Sequence, residues 1–310
     1  MKKTALKYVV PSKNVVLVIP MMIFYCSIVV AQQESKLIAK DAQLTKIASD
    51  YQFTEGPAVD KDGNVYFTDQ PNDRILKWSV SNGTVSTYME NTGRSNGLYF
   101  DNKGNLLACA DLDNQLWLIK PDKSVEVLVK DFEGKRLNGP NDLWIDKRDG
   151  VYFTDPFYKR NYWERTEMEI ETQDAYYLSP DRTTLERVAT GFVKPNGIVG
   201  TKNGKFLYIV DIGDKKTYRY RINKLNGELY DRQLFVEMGS DGMTIDHKGN
   251  VYLTGEGVTI FNKKGEKIGH IDVPERWTAN ICFGGKEQKK LFVTAMGSLY
   301  TLDMKVRGVR

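Results

Sequence analysis

From residue 53 onward, apolar and polar positions alternate in short runs of six to eight residues, and most runs open on a glycine turn. They read "GNVYFTD" (63–69), "GNLLACAD" (104–111), "GVYFTD" (150–155), "GKFLYIVD" (204–211), "GNVYLTG" (249–255) and "KKLFVTA" (289–295). Val, Tyr, Phe, Leu and Thr dominate them, as expected of strands bounded by turns. Helical periodicity is scarce. The runs end at 69, 111, 155, 211, 255 and 295, so successive units are 42, 44, 56, 44 and 40 residues apart. A period of 40 to 50 residues with several short strands per unit predicts an all-β fold, a six-bladed β-propeller. The strand-like stretch 43–49 ("QLTKIAS") is expected to pair with "SLYTLDM" (298–304) and close the ring.

Each unit repeats a second feature, the turn and strand before the glycine. Aligned, these segments are "EGPAVD" (55–60), "NGLYFD" (96–101), "NDLWID" (141–146), "NGIVGT" (196–201), "DGMTID" (241–246) and "NICFGG" (280–285). Their first residues are Glu55, Asn96, Asn141, Asn196, Asp241 and Asn280, and every one carries a side-chain oxygen. In a propeller the innermost strand of each blade lines the central channel, so six oxygens converge there. Two are carboxylates and four are amides, a formal charge of −2 in a confined place. A hard divalent cation resolves that repulsion. Ca²⁺ suits an irregular set of oxygen ligands first, with Mg²⁺ and Zn²⁺ as further candidates. Turn capping is the competing role for Asn96 and Asn280, whereas Glu55 is not a usual capping residue.

The beginning of the chain has a different character. Residues 1–31 contain Lys2, Lys3, Lys7 and Lys13, no acid, and the run "VVLVIPMMIFYCSIVV" ending in Val29-Val30-Ala31. This is the pattern of a secretory signal peptide cleaved after Ala31, giving an exported, periplasmic or secreted protein of residues 32–310. Sixteen apolar residues interrupted by Pro20 fall short of the ~20 a membrane span needs, so no stable insertion of the mature chain is expected. Removing four lysines from 44 basic residues leaves 40 against 40 acids. The mature chain is then formally neutral, which argues against a nucleic-acid partner.

Other motifs carry less chemistry. Cys109 and Cys282 lie far apart in apolar strands, as buried thiols or, in an exported protein, a pair. His247 and His270 fall off the channel register, so no Ser-His-Asp set assembles. "DKDGNV" (60–65) lacks the Gly and Glu of a calcium loop and reads as a hairpin turn. Asp69, Asp111, Asp155 and Asp211 recur at strand ends, where turn and inter-blade hydrogen bonds are their expected work. The longest unit holds an insertion, "PFYKRNYWERTEMEIETQDAYY" (156–177), either a solvated loop or a lid over the channel. As a lid it would bring Tyr158 and Arg160 to a substrate, and Arg94 and Asn138 flank ring positions as further contacts.

The stretches "EGPAVDKDGNVYFTD", "RLNGPNDLWID…GVYFTDPFY", "KPNGI", "SDGMTID" and "ANICFGGKEQKKLFVTA" together resemble the gluconolactonase/regucalcin family of six-bladed propellers with a central divalent metal. The resemblance spans nearly all of the mature chain. It implies metal ligands at Glu55, Asn141, Asn196 and Asp241, an arrangement similar to that of diisopropyl fluorophosphatase. In regucalcin the position of Asn141 serves more as a substrate contact. Asn96 and Asn280 would then be substrate-binding. The implied reaction is hydrolysis of a sugar lactone, with a metal-held water and Asp241 as general base. A non-catalytic sugar-binding propeller with a structural ion, or a related esterase or phosphotriesterase, are the alternatives.

Overall fold

The computed structural model describes residues 36–309, and the predicted leader lies outside them. Six four-stranded antiparallel sheets follow one another around a ring. Their innermost strands are Thr54–Val59, Ser95–Phe100, Leu143–Ile145, Pro195–Gly200, Met243–Ile245 and Thr278–Gly284, one for each predicted unit. The second strand of each blade carries the run first seen in the sequence. Val65–Asp69, Leu106–Ala110, Val151–Asp155 and Val251–Gly255 are buried at every position, because neighbouring blades cover both faces. Outer strands such as Val125–Val129 are largely exposed.

The ring closes as expected. Thr45–Ala48 pairs antiparallel with Ser298–Asp303, so the beginning of the described chain supplies the outer strand of the sixth blade. Joining both chain ends in one blade leaves no open seam for the ring to slip apart. The glycine turns are built on an aspartate. Asp60 Oδ1 accepts the Asp62 and Asn64 amides, and Asp101, Asp146 and Asp246 do the same two and four residues on. Gly63, at φ 93°, makes the reversal. The "DKDGNV" stretch is therefore a hairpin turn.

Two recurrent residues lock the blades where it matters for the channel. The Thr of each "TD" or "TG" ending is fully buried, and its hydroxyl crosses to the next blade. Thr68 donates to Asn96 O (3.2 Å), Thr154 to Asn196 O (2.7 Å) and Thr254 to Ala279 O (2.8 Å). Three of the four strand-end aspartates act within a blade rather than between blades, which corrects that part of the expectation for them. Asp69 accepts the Gln52 and Phe53 amides, Asp155 those of Asn138 and Gly139, and Asp211 those of Val193 and Lys194. Each brace grips the loop two and three residues ahead of a ring position.

Blade 2 breaks this rule. Its entry loop is held by Asp73 from blade 1, which accepts the Thr92 and Arg94 amides. Asp111, at the position of the braces, is thereby released for another task. The insertion also differs from its expected limits, since Gln173–Leu178 is the third strand of blade 3 and the loop proper is 156–172. Cys109 and Cys282 are buried free thiols. Among the described residues no helix is long and apolar enough to cross a membrane.

Candidate active site at the channel mouth

The six register positions do meet at the hub. Glu55, Asn96, Asn141, Asn196 and Asn280 are each at most 6% exposed, and Asp241 is part-buried among them. What brings them so close is the glycine that follows four of them. A Cβ on Gly56 would lie 2.1 Å from Asn96 O, and one on Gly242 2.0 Å from Asn280 Oδ1. Neighbouring blades approach the axis at distances only glycine permits.

Glu55 and Asp241 come from blades 1 and 5, yet they sense each other. Burial pushes the Glu55 carboxyl well above the usual range, and the charge of Asp241 adds to that. Asp241 is itself raised, to about 6, chiefly by burial. Its carboxylate is held on both sides by neutral donors. Asn196 Nδ2 donates to Oδ1 at 2.8 Å, and Trp277 Nε1 donates to Oδ2 at 2.7 Å. The same Asn196 amide donates to Tyr158 OH at 2.8 Å, so its carbonyl oxygen has no protein donor among the described residues. The side-chain amides of Asn96 and Asn141 likewise have no protein partner there, despite their burial.

This donor set fits a hard dication. Two carboxylates, one of which feels the charge of the other, and buried asparagine amides without a protein partner supply oxygen donors on the innermost strands, with no thiolate or imidazole among them to favour a softer ion. Among the described residues no three His, Cys, Asp or Glu side chains gather to hold a metal by themselves, so asparagine oxygens must complete any such site. Asn280 stands apart from the others. Its Oδ1 accepts the Ile281 amide at 2.8 Å, and its side chain draws the Glu55 and Asp142 carboxyls down against the effect of burial. Both histidines lie away from the hub, His247 against Arg307 and His270 on the outer strand Lys267–Ile271.

Asp142 is a hub residue that sequence reasoning missed. It occupies the place where four other blades have glycine, and it puts a third carboxylate one step along from the ring. Its Oδ1 accepts the Leu143 amide at 2.9 Å, and burial raises its carboxyl to about 7. The signal was present in the alignment, as the departure from the Gly56, Gly97, Gly197 and Gly242 column. Trp277 was also missed. It precedes ring position Asn280 by three residues and had no counterpart to draw attention to it.

The insertion folds over the mouth. Asp111, free of any brace duty, anchors it: Oδ2 accepts Arg160 Nε (3.0 Å), Gln70 Nε2 (3.3 Å) and the Tyr162 hydroxyl, and its main-chain oxygen accepts Trp163 Nε1 (2.8 Å). A loop of blade 3 is thus pinned to blade 2 while Tyr158 reaches Asn196 on blade 4. Arg94 lies in the same layer, its guanidinium 4.4 Å from the Tyr162 ring centre. Asn138 does not reach the channel. It is fully buried beneath the insertion, its amide donating to Thr172 O at 2.9 Å and the backbone of Asp155, so its work is to hold the loop's base rather than to touch substrate.

Comparison with known proteins covers nearly the whole described chain. A family profile described as the SMP-30/Gluconolactonase/LRE-like region matches residues 53–297. A gluconolactonase of Zymomonas mobilis is 30% identical over 294 residues, covering 84% of this chain and 81% of that protein. The diisopropyl-fluorophosphatase of Loligo vulgaris is 26% identical over 277 residues, covering 81% and 88%. Among solved structures, a gluconolactonase from Xanthomonas campestris superposes with a TM-score of 0.80 at 28% identity, covering 86% of this chain and 91% of that one.

Proposed function

The chain belongs to the SMP-30/gluconolactonase/LRE-like family and is a lactonase, and on that premise we propose that it hydrolyses a sugar lactone with a divalent cation, Ca²⁺ first, held by Glu55, Asn141, Asn196 and Asp241. The observation that carries this reading is the pair Glu55 and Asp241, two carboxylates from blades 1 and 5 brought close enough that the charge of Asp241 raises the proton affinity of Glu55, with neither in an ion pair with lysine or arginine among the described residues. When bound, the cation supplies Lewis-acid polarisation of the ester carbonyl and a position for water.

The chain's own residues do the rest. Asp241 is the general base. Its two oxygens each keep a lone pair beyond the bonds from Asn196 and Trp277, and those bonds fix which way the free lone pairs point. Without the cation its carboxyl is raised to about 6, above an ordinary aspartate and still ionised at neutral pH; a bound cation would lower that basicity and would acidify the water in return. It takes a proton from the attacking water; the hydroxyl adds to the carbonyl carbon, the ring C–O bond breaks, and the alkoxide takes a proton to leave a hydroxy acid. Tyr158 is suited to that last donation. Its oxygen accepts from Asn196, so its own O–H is free to donate, and burial holds the phenol above its ordinary range and therefore protonated. Asn96, at the hub with an unengaged amide, binds the sugar hydroxyls.

A panel of aldonolactones followed by acid release, with Ca²⁺ or with chelator, tests this. Turnover that needs the cation and falls at least a hundredfold in Asp241→Asn, with the unfolding midpoint retained, is the expected result. A structural ion in a non-catalytic propeller predicts the reverse, a lowered midpoint in the variant and no hydrolysis in the parent.

A further inference from the structure

Three cations ring the mouth, and only one has an acid to answer it. Arg160 pairs with Asp111 at 3.0 Å, and its guanidinium also lies 5.3 Å from the Tyr158 ring centre. Lys194 places its ammonium 4.5 Å from the same ring, and Arg94 stacks on Tyr162 with one N–H on Pro71 O at 2.7 Å. Among the described residues neither Lys194 nor Arg94 has a carboxylate within ion-pair distance. These groups are not scattered surface charges. Tyr158, which carries two of them, hydrogen-bonds the hub residue Asn196, and Lys194 stands two residues from it in the chain. The Arg160 charge is felt as far as Asp241, whose carboxyl it draws downward.

A neutral sugar lactone gives a half-buried ammonium nothing to pair with. A lactone whose ring carbonyl lies at the hub and whose far end carries an anion would bring its charge to Lys194 and Arg160. We propose, resting on the lactonase reading, that the substrate is an anionic sugar lactone, bearing a carboxylate or a phosphate distal to the ester, and that Lys194, with Arg160 and Arg94, selects for that charge. The aromatic rings beneath them hold the cations in place at little entropic cost, which is why an insertion so rich in tyrosine and tryptophan serves selection better than a polar loop would.

The test compares kcat/KM for D-glucaro-1,4-lactone against D-glucono-1,4-lactone, and for 6-phospho-D-glucono-1,5-lactone against D-glucono-1,5-lactone, at low and high salt. The expected result is a preference of about tenfold or more for the anionic member of at least one pair, carried mainly in KM and shrinking as salt screens it. Which pair shows it identifies carboxylate or phosphate. Lys194→Gln should cut that ratio roughly tenfold, and Lys194→Arg should restore most of it. Neutral lactones turned over as well as both anionic ones, or a ratio unmoved in Lys194→Gln, overturns the proposal and leaves the lactonase reading standing. If no lactone of any kind is hydrolysed, that reading falls instead. Calorimetric binding of D-glucarate and 6-phosphogluconate against D-gluconate then still decides whether the mouth prefers an anion.

Discussion

Replacing Asp111 by asparagine should loosen the cover over the channel while leaving the propeller intact. The side chain is 3% exposed and its main ionic partner, Arg160, 24% exposed, so solvent screens the pair little. Asparagine keeps an acceptor in the same place, and the geometry to Gln70 and Tyr162 survives. What disappears is the charge. A hydrogen bond to a charged group contributes about 1.5–3 kcal/mol and a neutral one about 0.5–1.5, so the docked loop loses roughly 1–2 kcal/mol. Opening of the loop then becomes about 5- to 30-fold more favourable, with RT near 0.59 kcal/mol. Deuterium exchange read on peptides spanning 157–165 measures this directly, because Phe157 N donates to Gln173 Oε1 and Trp163 N to Arg160 O in the seated loop. Exchange there should accelerate by that factor while peptides from Val151–Asp155 stay protected, and kcat should fall as the proton donor Tyr158 is displaced. Unchanged exchange at 157–165, or a fall in the global unfolding midpoint with no local change, would refute the anchoring role and assign Asp111 to blade 2 alone.

Thr154→Val keeps the shape of a fully buried side chain but removes the hydroxyl that donates to Asn196 O and accepts the Asp142 amide. A loss of about 1–3 kcal/mol in urea denaturation at constant slope is expected; no change would mean the blade-to-blade hydroxyls are dispensable. Cation affinity should fall as pH drops through about 6, where Asp241 takes up a proton; calorimetric titration from pH 5 to 8 with no such fall contradicts the ligand assignment. The same raised pKa has a second consequence. Without cation the folded form binds the Asp241 proton more tightly than the unfolded chain does, so its contribution to stability is full below pH ~4 and declines as pH rises through about 6. Added Ca²⁺ should therefore raise the melting temperature more at pH 8 than at pH 5, and an equal rise at both would count against it.

Period and alternation were enough to determine the six blades, the buried second strands, the closing strand from the beginning of the described chain, and the column of oxygen-bearing residues at the hub. These features are legible because each blade must solve the same local problem, and a repeated solution leaves a repeated mark. Where the blades differ, the one-dimensional pattern was silent or misleading. Asp111 looks like Asp69, Asp155 and Asp211 in sequence, and only the three-dimensional arrangement shows that Asp73 has taken over its brace and turned it toward the insertion. Asn138 sits beside a ring position, yet the base of the insertion covers it, its amide donating to Thr172 O. Asp142 and Trp277 become part of the site only once blades 1, 3, 5 and 6 are brought around one axis. Local strand and turn formation depends on neighbours in the chain. Orientation at the mouth depends on contacts between residues 20 or more positions apart, and a side chain's partner at that range is set by packing rather than by its own residue type.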